Sequence, residues 1–500
     1  MATALPNVVL GSQLRPPSVA LFWEPGFPSV QGFDLTLETL QQALNNFSVT
    51  VVGARDLTRE LHNTRFDLLI TPHGSAFLKV AWPALLDYLR QGGNWLNIGG
   101  VPLAMPVVRV SSNWDAVAKQ TTYHKRLGIT HSFPVDASSI STYTPAHTGL
   151  AGGVEPAEIY ELYVRLSSSN NEPDEAGSDG PHLGVVEPLM LGMNREGRAV
   201  AAPVIQIDRL LGEFAGGRWV FANFKGGITA KAVTALASIA VQGASRFEVR
   251  TEFPCYNAGE VPSLSVELLR PKSDLEKFAI KDCSIELRDS NDALVSTLNV
   301  PLLSQSSRAT GGLVLHEAAN LSPGLYKLKA TLNSPGFTLT HTNGFWIYDG
   351  TLVEQAKPIT VDKHFFYRDG RVFPVTGATY MASDKHRRFL FEPNAFVWDN
   401  DFRAMKDAGV NMVRTGIWTG WKKYMPNPGK LEEVTLRAFD AFLLTAHKYD
   451  IPVIFTFFAF LPETWGGENA YLDPRSVKAQ QQFISAFTSR CTRINDVIWD

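Results

Sequence analysis

Between Pro374 and Asp500, short apolar runs alternate with stretches whose apolar residues recur every third or fourth position. That alternation restricts the fold more than any other feature. The runs Pro374–Met381, Asn411–Trp418 and Pro452–Phe458 are bounded and rich in β-branched and aromatic residues, so they read as strands. A fourth opens at Val497-Ile498-Trp499-Asp500. Between them, Phe402, Met405 and Ala408 share one helical face, as do Leu436, Phe439, Leu443 and Ala446, and then Phe483, Ile484, Phe487 and Cys491. Strands joined through helices in this way lie parallel. Phe365–Phe373, with its Asp369-Gly370 turn, predicts a hairpin just before the first of them.

Strand–helix alternation also opens the chain. Val19–Trp23, Val49–Val52, Phe66–Ile70 and Asn94–Ile98 read as strands. Leu37, Leu40 and Leu44 mark one helix, and Trp82, Leu85, Leu86 and Leu89 a second that stops at Gly92-Gly93. A flavodoxin-like, doubly wound parallel sheet is expected over residues 1–245, with Gly216–Phe221 as a terminal strand. The polar, turn-rich stretch 167–180 reads as a surface loop. From 246 to 350 the period falls to two, in Leu264/Val266/Leu268, Cys283/Ile285/Leu287 and Tyr326/Leu328/Ala330, which predicts an antiparallel β-sandwich. The third domain is then 351–500. The fold class is multidomain α/β, as 500 residues exceed what one core organises.

Several functions drop out on composition. A net charge of −3 without any Lys/Arg-rich run leaves no footprint for nucleic acid. No apolar run approaches the roughly 18 residues of a membrane helix, and the N-terminus lacks a basic stretch followed by an apolar one, so a cytoplasmic location is expected. Cys255, Cys283 and Cys491 lack metal-ligand spacing, so no metal site is predicted. Cys283 and Cys491 fall on apolar faces and read as buried. A Cys255–Cys283 bond has no support beyond its possibility.

Two resemblances add to this reading. Gly92-Gly93-Asn94-Trp95-Leu96-Asn97-Ile98-Gly99-Gly100-Val101-Pro102 resembles the central strand and turn of class I glutamine-amidotransferase-like domains. Active members carry a nucleophilic Cys at that turn, whereas this chain has Gly99-Gly100-Val101 and no Cys before residue 255. The resemblance implies a non-catalytic domain like the trimerisation domain of family 42 β-galactosidases, and with it a homo-oligomer. His73, in Thr71-Pro72-His73-Gly74, reads as structural once the thiol is missing. Tyr256–Glu260 and Leu321–Tyr326 resemble phrases of immunoglobulin-like modules in bacterial glycosidases, where a spacer role is favoured.

The order of hairpin, strand one, Val413-Arg414 and Val497-Ile498-Trp499-Asp500 resembles clan A retaining glycoside hydrolases, whose barrels have the (β/α)8 form. Residues 351–500 would then be the first half of such a barrel, whose whole takes about 250 residues. The resemblance implies hydrolysis of β-linked galactosides, mannosides or glucans with retention, without metal or organic cofactor. Its acid/base and nucleophile, both Glu, are expected beyond residue 500. Arg414 matches the arginine that orients the nucleophile. Trp418, Trp421 and Trp465 follow strand ends, where rings can stack on sugars, with core or loop packing an equal alternative for each alone. Glu463 and the run His386-Arg387-Arg388 read better as loop residues than as site residues. Two alternatives stand beside the enzyme: a non-catalytic carbohydrate-binding or scaffold protein with a degenerate barrel, and an amidotransferase-like hydrolase, against which the absent Cys argues.

Overall fold

A computed structural model describes residues 15–146, 150, 152–166, 183–270, 275, 280–305, 308–334, 337–418, 424–458, 467–491 and 494–500. The loop expected over 167–180 lies outside the described residues. The chain is a mixed α/β protein that divides into two compact units, the first ending at Arg246 and the second beginning at Phe247, with short exchanged stretches.

The first unit is built on an eight-stranded sheet. Its strands are β1 (Ser18–Phe22), β2 (Ser48–Val52), β3 (Leu68–Thr71), β5 (Trp95–Ile98), β8 (Thr142–Pro145), β9 (Gly184–Met193), β10 (Ala199–Arg209) and β11 (Arg218–Ala222). They lie in the order β2-β1-β3-β5-β11-β10-β9-β8. Every residue of β3, β5 and β11 is buried, because helices cover both faces. One face packs under α1 (Leu37–Ala43) and α4 (Ala230–Ala240) through Leu40, Ala43, Val233 and Leu236. The other packs under α2 (Leu57–Asn63) and α3 (Trp82–Arg90) through Leu57, Leu61, Leu85 and Leu89. A smaller sheet of β4 (Ala76–Leu78), β6 (Met105–Val110) and β7 (Asn113–Ala116) belongs to the same unit.

Two expectations need correction. The sheet is parallel only from β2 to β11, and β10, β9 and β8 run antiparallel. Part of the cause is local: β9 and β10 are joined by a tight turn in which the Asn194 side chain accepts the N–H groups of Glu196 and Arg198. That connection has no room for a crossover helix. The strand expected to be terminal, 216–221, instead sits inside the sheet as β11, between β5 and β10. Its unbroken run of buried residues is the signature of an interior strand.

The second unit begins with two sheets that enclose one apolar core. One contains Arg246–Thr251, Ser263–Leu269, Arg308–Val314 and Leu303–Gln305, the other Cys255–Tyr256, Phe337–Ile347, Gly324–Ser334, Asp282–Arg288 and Leu294–Pro301. Leu264, Val266, Leu268, Cys283, Ile285, Leu287, Leu328 and Ala330 meet inside. All three cysteines are buried and free, so Cys255 and Cys283 are not bonded.

A four-stranded parallel sheet follows, in chain order: β12 (Gly377–Thr379), β13 (Met412–Gly416), β14 (Val453–Thr456) and β15 (Val497–Trp499). The connections carry α5 (Ala395–Asp407), α6 (Glu433–Lys448) and α7 (Pro474–Arg490). Before β12, Phe366–Arg368 and Arg371–Val372 pair across Asp369 and Gly370, both at positive φ (51° and 69°), as a type I′ turn requires. Trp346 Nε1 donates to Thr445 Oγ1 on α6 at 2.9 Å, and Arg437 of α6 grips Glu260 at 2.9 Å through Nη2, so the sandwich and this sheet share one unit. Among the described residues no helix is long and apolar enough to cross a membrane.

Candidate functional site

The inward and outward faces of the parallel sheet are set by strand alternation. On β13, Val413 and Thr415 are buried against the helices while Arg414, between them, is open to the other face. Arg414 is in register with Ile454 of β14, and Ile454 with Ile498 of β15, so the guanidinium rises beside an apolar floor. Two residues further along, Thr456 and Asp500 share that face.

These three side chains converge. Arg414 donates from Nε (2.9 Å) and Nη2 (2.6 Å) to Asp500 Oδ2, and the Thr456 hydroxyl donates to the same oxygen at 2.6 Å. The backbone holds the group in place. Asp500 N–H donates to the Phe455 carbonyl and Phe457 N–H to that of Asp500, each at 2.9 Å. Tyr380 N–H donates to the Arg414 carbonyl at 2.8 Å, and the Thr415 hydroxyl to that of Tyr380 at 3.0 Å. Gly416 permits the closest approach: a Cβ there would lie 2.0 Å from the Thr456 carbonyl oxygen. The Thr456 hydroxyl and then Arg414 hold the Asp500 carboxyl below the usual carboxylate range. Asp500 is therefore an anion at neutral pH, suited to accepting hydrogen bonds or balancing Arg414 and unsuited to donating a proton.

Among the tryptophans expected at the site, Trp418 is only 5 % exposed. It packs in the core, with the Arg414 guanidinium carbon 5.9 Å from its ring centre. Of the two readings of this residue, stacking face or core packing, its burial favours the second, and the ring backs Arg414. Trp421 and Trp465 lie outside the described residues, as does Glu463. Arg388 lies in a turn but is not solvated, since it pairs with Glu392 at 3.0 Å with both side chains largely buried. The sequence reading assigns no site role to Thr456 or Asp500, although counting two residues on from Ile454 and Ile498 finds both.

In the first unit, the turn after β5 is sharp, with φ of 101° at Gly99 and 57° at Gly100. It has no space for a nucleophile. A Cβ at Gly99 would meet the Gly32 Cα at 2.8 Å, and one at Gly100 the Ser75 Oγ at 2.2 Å. His73 is 5 % exposed among Phe22, Trp23 and Phe27, and burial pushes its pKa down to about 4. A neutral, enclosed imidazole is a packing group. Among the described residues no cluster of three His, Cys, Asp or Glu side chains is placed to hold a metal ion.

No family model matches the chain, and no curated protein matches it. Solved structures match in part. An exo-β-1,4-mannosidase from Opitutaceae bacterium strain TAV5 is 19% identical over 27% of this chain and 25% of its own, with a TM-score of 0.24. A GH5_18 protein from Streptomyces cattleya, in complex with GlcNAc, is 16% identical over 25% of this chain and 32% of its own, with a TM-score of 0.23. A β-glucuronidase from Bacteroides uniformis is 16% identical over 51% of this chain and 28% of its own, with a TM-score of 0.20. The chain thus spans about a quarter to a third of the structures it matches.

Proposed function

We propose that the second unit contributes the first half of a (β/α)8 barrel to an O-glycosyl hydrolase that cleaves β-linked glycosides with retention. One observation carries this reading: Arg414, Thr456 and Asp500 converge from the carboxyl ends of three adjacent parallel strands, where barrel enzymes assemble their sites. Retention needs two carboxyl groups about 5–5.5 Å apart, one ionised to attack and one protonated to release the leaving group. Asp500, tied to Arg414 and Thr456, is not the acid. The acid/base Glu is proposed to follow the fourth strand, β15, and the nucleophile Glu to end a later strand of the barrel. Arg414 keeps Nη1 without a partner among the described residues, so it can hold the nucleophile while Asp500 fixes its other edge. The first unit, without room for a nucleophile at Gly99, is proposed as an assembly domain of a homo-oligomer, which light scattering at micromolar concentration checks.

The test is turnover of a nitrophenyl β-glycoside panel by the intact natural polypeptide, with the anomer of the first product read by NMR. Retained product is expected, and residues 1–500 alone should give no turnover. Inverted product, or a fully active 1–500 chain, would overturn the proposal. The commitment of Asp500 to an ion pair also fits a second reading, a carbohydrate-binding protein without catalysis. Saccharide binding with no turnover by the intact polypeptide would favour it.

A further inference from the structure

Parallel α/β sheets take ligands at the carboxyl ends of their strands, where the strand order reverses. In the first unit the chain moves from β1 outward to β2, then back across β1 to β3, so the reversal lies between β1 and β3. Side chains of the protein fill that crevice: His73 packs against Phe22, Trp23 and Phe27 at centroid distances of 5.4, 5.3 and 4.9 Å. The open volume lies one element further out. A cavity of about 390 Å³ is lined by Ala54 and Arg55 beyond β2, by Leu78 and Val107 of β4 and β6, and by Arg109 and Trp114 of the β6–β7 hairpin.

Its walls are apolar, yet two guanidiniums stand at it. Among the described residues neither Arg55 nor Arg109 has an ion pair. Arg109 faces Trp114 across the hairpin, its guanidinium carbon 5.3 Å from the ring centre. Neighbouring acids are engaged elsewhere: Glu24 accepts the Ala54 N–H at 2.9 Å, and Asp56 pairs with Arg59 at 2.7 Å. Two exposed cations with no counter-ion among the described residues, beside an apolar hollow, select a ligand that is itself apolar and anionic. A sugar would leave its hydroxyls unmatched on the aliphatic walls. A neutral hydrocarbon would leave the arginines unused. A planar carboxylate fits the guanidinium fork.

We infer that this cavity binds a small, flat organic acid, its ring against Leu78, Val107 and Trp114 and its carboxylate on the arginine rim. The volume falls within the roughly 300–1,000 Å³ of small-molecule sites. The site is independent of the glycosidase reading, since all its residues belong to the first unit.

The test titrates the 500-residue chain with 2-naphthoate and with 2-naphthamide, its neutral analogue, by calorimetry and tryptophan fluorescence. One saturable site is expected for naphthoate, with the amide about tenfold weaker. Arg55→Gln and Arg109→Gln should each weaken naphthoate binding about tenfold while leaving the melt unchanged, since both side chains are exposed. Ala54→Phe, which fills the hollow, should remove binding of both probes. Failure of naphthoate to saturate at millimolar concentration, equal affinity for acid and amide, or wild-type affinity in both arginine variants would overturn the inference. So would a wild-type dimer that ignores naphthoate and that Val80→Asp, at a wall residue 71 % exposed, turns into a monomer; the wall would then be a contact between copies.

Discussion

Arg414 offers Nε and Nη2 to one oxygen of Asp500, and the hydroxyl of Thr456 completes the grip. Under the proposed glycosidase function, removing the cation in Arg414→Ala should lower turnover of the intact polypeptide by about two orders of magnitude or more. An opposite charge within about 4–6 Å lowers a carboxyl pKa by roughly one to three units, and loss of orientation adds to the cost. Arg414→Lys should restore little, because an ammonium lacks the planar fork. Near-normal kcat in Arg414→Ala, with an intact circular-dichroism melt, would remove this residue from the mechanism. Beside it, Gly416→Ala should destabilise the second unit by about 2 kcal/mol or more. The added Cβ, 2.0 Å from the Thr456 carbonyl oxygen, must push β13 from β14, and denaturant titration reads the loss.

Among the elements, α5 shows how local chemistry and packing combine. Asn394 caps it by accepting the N–H groups of Phe396 (3.1 Å) and Val397 (3.3 Å). The same side chain donates to the Thr342 carbonyl at 3.0 Å, fastening the helix to the sandwich strand Phe337–Ile347. Asn394→Ala should therefore cost about 1–2 kcal/mol, the upper part of the range for a lost N-cap. Asn394→Asp keeps the acceptor and loses the donor, so it should recover part of that. A destabilisation of the same size in both variants would place the energy in the Thr342 bond alone. Gly344 lies under the same helix, where a Cβ would come within 2.6 Å of the Phe396 nitrogen. Helix and sandwich thus meet backbone to backbone.

Across the whole molecule, acid should act on the two units in separate pH windows. His73 has a pKa near 4, lowered by burial from 6.5, and His124 is lowered by the same cause. The unfolded chain binds protons at these positions that the folded one refuses, so the first unit loses stability as pH falls from 6.5 towards 4. His73 alone accounts for up to roughly 3 kcal/mol of that loss. Among the described residues, burial alone and no charged group accounts for the shift of the ring in its box of Phe22, Trp23 and Phe27. In the second unit Arg437 holds Glu260 at about 2, and Lys385 and Arg388 hold Glu392 at about 2 despite its burial. Their stabilisation is present above pH 4.5 and disappears as pH falls towards 2. Hydrogen exchange at pH 7, 5.5 and 4.5 should show β3 losing protection before α6. His73→Phe should flatten the first transition, and an unaltered one would exclude His73 as its cause.

Periodicity in the chain was enough to place the strands β1, β2, β3, β5 and β12–β15 and the helices α1, α3, α5, α6 and α7, because residues that must face a core recur at 2 or 3.6 positions whatever the partner. It also put Arg414 on a strand, and the alternation of buried Val413 and Thr415 around it is a local property. The antiparallel half of the large sheet was not legible. The direction of β8, β9 and β10 depends on a turn held by Asn194 and on pairings between residues far apart in the chain. The inward position of β11 was lost for the same reason. Trp418 shows the limit at the site: an aromatic after a strand end can face a cleft or the core, and only the neighbouring elements decide which. The meeting of Arg414 with Asp500, 86 positions away, belongs to register across three parallel strands. A sequence states which residues can form that site, and the tertiary pairing brings them within hydrogen-bond reach.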